Sequence, residues 1–172
     1  MSLDPDILHP SVRAAIESYG ISCRTLACDP ALADTAAYCE HYGFAPDVAA
    51  NAIVVIGKTS PPRYACCLVL ATCKLDVNKK VSELLGVKRC SFASAEQTKE
   101  LTGMEIGGVT PLGLPDMPVY VDSQIMCEEE IVIGGGNRSS KLLLHPTELL
   151  KLTNVQVIDR LALPRQQGVE IT

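Results

Sequence analysis

Two glycine-rich stretches hold the residue types and spacing that could do chemistry. The first is Thr102-Gly-Met-Glu-Ile-Gly-Gly-Val-Thr-Pro-Leu-Gly-Leu-Pro115. It is too broken by glycine and proline for a regular helix or strand, yet too apolar for a plain linker. Glycine lets backbone approach a neighbour closely and proline holds the path rigid, so exposed amides and carbonyls here could grip a polar small molecule or steer a water. A tight structural connection between two elements accounts for the same residues equally well. The second stretch, Gly134-Gly-Gly-Asn-Arg138, offers consecutive glycine amides and a guanidinium, a combination suited to phosphate or carboxylate. A β-turn with a solvated arginine is the competing reading.

Familiar reactive patterns are missing. Neither glycine stretch ends in Gly-Lys-Ser/Thr, and neither fits the dinucleotide fingerprint. His9, His41 and His145 lack metal-ligand spacing, and no Gly-x-Ser-x-Gly segment occurs. Glu128-Glu-Glu130 reads as a solvated strand entrance. The eight cysteines contain no Cys-x-x-Cys pair, and Cys66 and Cys67 fall inside an apolar strand, so they are expected to be reduced core residues. Neither metal nor cofactor is implied.

The elements that must position these stretches follow from periodicity and caps. Helices are predicted over residues 10–19 before Gly20, with Val12, Ile16 and Tyr19 on one face, and over 34–42 before Gly43. A third is capped by Asp76 and stopped by Gly86, and a fourth has a Ser94/Gln97 capping box and ends at Gly103. Pro146 opens a short helical turn through Leu152. Strands are predicted over residues 22–27, 52–56, 64–71, 88–92, 119–125, 130–133, 141–144 and 155–161. Two strand pairs follow each other without a crossover helix. The expected fold is therefore α+β, a single domain over residues 1–172 with a mixed, largely antiparallel central sheet flanked by helices.

The chain has 172 residues, 47% hydrophobic and 20% charged, with a net charge of −5, enough for a core without staples. The acidity argues against DNA or any broad wrapping of nucleic acid, and leaves room for a partner touched at one end. Residues 1–10 lack a basic start and an apolar run, and residues 65–71 are too short an apolar run to span a bilayer. The expected setting is the cytoplasm, with no membrane partner.

The segments together resemble the YbaK/prolyl-tRNA synthetase-associated domain family over residues 35–159. The resemblance is carried by Leu75-Asp-Val-Asn-Lys-Lys-Val81, Leu85-Gly-Val-Lys88, Thr102-Gly103, Gly107-Gly-Val-Thr-Pro-Leu-Gly113 and Gly134-Gly-Gly-Asn-Arg138. Residues 107–111 match the family's Gly-x-x-x-Pro loop. The resemblance implies hydrolysis in trans of the ester joining a wrong amino acid to tRNA, typically a small residue on prolyl tRNA. It implies no side-chain nucleophile: backbone positions the ester, and water or a substrate group attacks. The implied partners are the aminoacyl-tRNA acceptor end and prolyl-tRNA synthetase. By this resemblance Asn51, Gly107, Gly108, Thr110 and Pro111 are the catalytic set, and Gly134, Gly135, Gly136, Arg138 and Lys74 contact substrate. Asn51 stands where the family carries a lysine, in Asn51-Ala-Ile-Val-Val55. An asparagine keeps hydrogen bonding but not the charge. Two readings remain open: an active deacylase with a modified pocket, or a member that binds aminoacyl-tRNA, a synthetase or a small ligand without hydrolysis.

Overall fold

The computed structural model describes residues 7–165. Two apolar runs rich in β-branched residues and cysteine, joined by a turn-rich segment, lay down β2 (Ala50–Gly57) and β3 (Arg63–Leu70), which pair antiparallel from Ala50↔Leu70 to Gly57↔Arg63. Around this hairpin grows a five-stranded sheet. Strand β5 (Cys90–Phe92) lies antiparallel to β2, while β6 (Val119–Asp122) and β9 (Val155–Ile158) are added parallel beyond β3. The central sheet is mixed, half of its pairings parallel. Cys66 and Cys67 are both fully buried because helices and loops cover both faces of β3.

A second sheet is wholly antiparallel: β1 (Arg24–Ala27), β8 (Ser140–Leu144) and β7 (Ile131–Gly134), in that order. It meets the central sheet where Ala49 bridges Val132 in parallel. A third ladder pairs β4 (Cys73–Leu75) with β10 (Ala162–Pro164). The main core draws on residues from Leu8 to Ala162, and a smaller cluster of Leu26, Cys28, Ala33, Tyr38, Val132 and Leu143 fills the space under the second helix. Residues 1–6 and 166–172, the ends of the expected 1–172 span and part of the segment read for targeting, lie outside the described residues.

The helices are α1 (Pro10–Tyr19), α2 (Thr35–Tyr42), α3 (Ser82–Leu85) and α4 (Ala95–Thr102). Ser94 and Gln97 make the reciprocal capping box expected of α4, and Asp76 caps a π-helical turn, Val77–Val81, that runs into α3. Three details differ from expectation. Tyr19 is 39% exposed, and Ala15 takes its place beside Val12 in the core. The strand expected over residues 119–125 stops at Asp122, which begins the 3-10 segment Ser123–Cys127. The strand expected over 155–161 breaks at Arg160, whose φ is 58°, and resumes as β10 on another ladder.

Candidate functional site

The two glycine stretches pack backbone against backbone. The Gly136 amide donates to the Gly108 carbonyl at 2.6 Å, and the His9 amide donates to the Gly135 carbonyl at 3.0 Å. A β-carbon on Gly134 would collide with the carbonyls of Gly108 and Val109, and one on Gly108 with the backbone of Asn137. These glycines are there because two main chains share the space of one side chain. Gly108, Thr110, Pro111 and Gly134 to Gly136 are consequently buried, and Gly107 alone of these positions is half-exposed.

By sequence the turn between β7 and β8 suits either an anion cradle or a β-turn with a solvated arginine, and its glycine amides are taken up internally. Its Gly135 amide donates to the Ser140 carbonyl and its Gly136 amide to that of Gly108. Arg138 is a clamp: its guanidinium donates to the carbonyls of Pro30 (3.0 Å) and Ile106 (2.7 Å) and to the Asp34 carboxylate (3.1 Å). These three acceptors hold the guanidinium in place while its side chain remains 26% exposed.

Asn51 lies near the start of β2, half-buried, and its side-chain oxygen accepts from the Thr35 hydroxyl at the first turn of α2. Ala49, two residues before Asn51, bridges Val132, two residues before Gly134. Gly134 pairs with Lys141 of β8, and the Gly108–Val109 backbone is laid over that glycine. The Lys141 ammonium, in a side chain 6% exposed, donates to the carbonyls of Gly107 (2.6 Å) and Ala33 (2.7 Å) and stands 5.4 Å from the centre of the Tyr38 ring. Burial pushes its pKa down; Arg138 adds to this, while Cys28, Asp34 and Cys39 oppose it.

Beside Thr35 opens a mostly apolar recess of about 210 Å³, lined by Thr35, Ala36, Cys39, Glu40, Phe44 and Pro46. It is smaller than the roughly 300–1,000 Å³ of sites that enclose a whole ligand, and suits one small side chain of a larger one. The Thr110 hydroxyl is fully buried and has no protein partner among the described residues. Lys74 is exposed on β4, opposite Leu163 of β10, and makes no hydrogen bond or ion pair with either glycine stretch among the described residues. No group of three His, Cys, Asp or Glu side chains is placed to hold a metal ion among the described residues, and the eight cysteines are unpaired thiols.

Sequence reasoning did not single out Thr35, Asp34 or Lys141. Lys141 alone left a signal: a lysine inside the otherwise apolar run 141–144.

This arrangement has relatives. The model of the aminoacyl-tRNA editing domain matches residues 29–152. The chain belongs to that family. The crystal structure of a candidate trans-editing enzyme for prolyl-tRNA synthetase superposes with a TM-score of 0.75 at 28% identity, covering 88% of this chain and 97% of that one. The hypothetical protein APE2540 superposes with a TM-score of 0.77 at 25% identity, over 87% of this chain and 97% of the other. The uncharacterised protein YwhH of Bacillus subtilis (strain 168) is 39% identical over 77 residues, a stretch that is 44% of this chain and 48% of that protein. The match thus spans about half of that relative's length. The editing-domain fold supports a deacylase-type role. No helix among the described residues is long and apolar enough to cross a membrane.

Proposed function

We propose that this editing domain acts in trans as an aminoacyl-tRNA deacylase, hydrolysing the ester of prolyl tRNA mischarged with a small amino acid. The observation that carries the reading is the small apolar recess at the head of α2, which shares Thr35 with Asn51. The misattached side chain enters the recess. Glu40, exposed at its rim, suits the free α-ammonium that every aminoacyl ester carries. The 3′-terminal ribose then lies toward Gly107, the half-exposed end of the Gly-x-x-x-Pro loop. Water adds to the ester carbonyl and the ribose 3′-oxygen leaves with a proton, giving a free amino acid and intact tRNA. Asn51 supplies hydrogen bonding rather than charge, and catalysis comes from holding ester and water in line against fixed backbone dipoles. Gly108, Thr110, Pro111 and Gly134 to Gly136 act as the rigid wall behind that site, and Arg138 as the brace at its edge. Lys74 serves as a more distant contact to the tRNA backbone.

The test is deacylation over a panel of tRNAs charged with alanine, cysteine, serine and proline. The expected result is hydrolysis of at least one small-residue prolyl tRNA at more than about ten times the spontaneous rate, a barrier lowered by about 1.4 kcal/mol or more. The absence of a cation at Asn51 favours a second reading, binding without turnover. It is the outcome if the panel shows tight association and no hydrolysis.

A further inference from the structure

Lys141 is the only basic side chain that is buried among the described residues. Its neighbours Leu142 and Leu144 point into the main core, whereas Leu143, two residues on, belongs to the cluster under α2 with Leu26 and Tyr38. Lys141 shares that second face, opposite Leu26 in β1 and Gly134 in β7. An apolar side chain would satisfy such a position. A lysine there must bring its charge to acceptors, since an unpaired buried ammonium is strongly disfavoured.

Its acceptors come from both sides of the cleft. The Gly107 carbonyl belongs to the Gly-x-x-x-Pro loop. Ala33 precedes α2 by two residues, and Thr35, which holds Asn51, opens that helix. One ammonium therefore ties the lead-in of the recess-bearing helix to the loop.

We propose that Lys141 is a positioning residue for hydrolysis in this cleft: its ammonium sets the spacing of α2 and the Gly107 loop and provides the interior positive charge that Asn51 does not. The inference rests on the deacylase reading. Charge-assisted bonds to carbonyls are short and stiff, so the Gly107–Gly108 peptide is held in one orientation where the ester must lie. The groups facing the ammonium are Tyr38, Cys28, Cys39, Asp34 and Arg138.

The first experiment uses the unmodified protein. With glycine labelled at its carbonyl carbon and lysine at its ε-carbon, alkaline titration should move the Gly107 carbonyl and Lys141 resonances with one midpoint. A Gly107 carbonyl that ignores the titration of Lys141 overturns the proposal, and needs no variant to fold. The second uses Lys141→Ala on the best substrate of the tRNA panel. We expect kcat to fall on the order of a hundredfold, the loss typical of a mispositioned site, with KM changed less than threefold. Propylammonium should restore at least tenfold of it, and 1-propanol, equal in size but neutral, should not. Equal rescue by both, or activity within threefold of the parent, overturns the proposal. A parent protein without hydrolysis removes the deacylase reading and the positioning role together, while the titration still reports whether the joint exists.

Discussion

A methyl group added to Gly108 or to Gly107 would meet different neighbours. At Gly108 it would run into the main chain of Asn137, which cannot swing aside. At Gly107, where φ is +93°, it would meet the Arg138 guanidinium and the Asp34 carboxylate. Both glycines are thus required by the protein's own packing, the tight-connection reading of the two that the sequence left open. Gly108→Ala should cost about 3 kcal/mol of stability, the upper part of the range for overpacking. Gly43→Ala, where the added carbon meets open space at φ +77°, should cost about 1 kcal/mol. Urea denaturation of the two variants checks the ordering; equal losses would mean that the loops yield. At the same scale, Asn51→Lys would add a second ammonium beside Thr35, two residues from the Ala33 carbonyl that Lys141 already engages. It should be tolerated better with Lys141→Met than alone, with a coupling of about 0.5–3 kcal/mol in a double-mutant cycle.

At the scale of elements, caps were legible and strand ends were not. Asp76, Ser94 and the stops Gly20, Gly43, Gly86 and Gly103 act locally, within one turn, so the sequence reveals them. Whether Val119 to Ile125 continues as strand depends on what Asp122 meets. Its buried carboxylate accepts from the Ala162 amide at 3.4 Å, 40 residues away, and lies near the amides of Leu161, Ser123 and Gln124. No local pattern encodes that. Burial pushes the Asp122 pKa up despite those amides, and one of its oxygens is unpartnered among the described residues. The folded state therefore takes up its proton at higher pH than the unfolded chain. This contribution is fully present below the ordinary carboxylate range and is lost as pH rises through the raised pKa. Compared with Asp122→Asn, the parent should gain relative stability as pH falls from 7 toward 4. Paired thermal melts across that range would refute the assignment if the difference stayed flat.

At the scale of the molecule, the mixed sheet was readable because hairpins and helices leave strong local marks. The parallel pairings of β3, β6 and β9 and the small β4–β10 ladder join distant segments through short strands, and left no comparable trace. The same holds for the site. The glycine stretches announced themselves, but their mutual packing and the α2 wall arise only in three dimensions. The cysteines report on this assembly. Burial pushes the Cys66 thiol up to about 12 and raises Cys67 as well, whereas Cys127 is exposed. With an aromatic disulfide reagent at neutral pH, Cys127 should react first, and Cys66 and Cys67 only after unfolding. Prompt reaction of either core thiol would show that the sheet opens more readily than its packing indicates.

The bonds that brace the site join distant parts of the chain. Lys141 reaches Ala33 across 108 positions, and Arg138 reaches Pro30 across 108 and Asp34 across 104. Closing such long loops is entropically expensive, so these bonds form late, after the β2–β3 hairpin and the helical turns have already organised. A chain still being synthesised possesses the apolar residues of the recess well before it possesses the strand that braces them. The braced arrangement of α2 and the Gly107 loop is thus expected to arrive near the completion of folding. During refolding, recovery of ligand binding should track the slowest kinetic phase rather than the appearance of secondary structure.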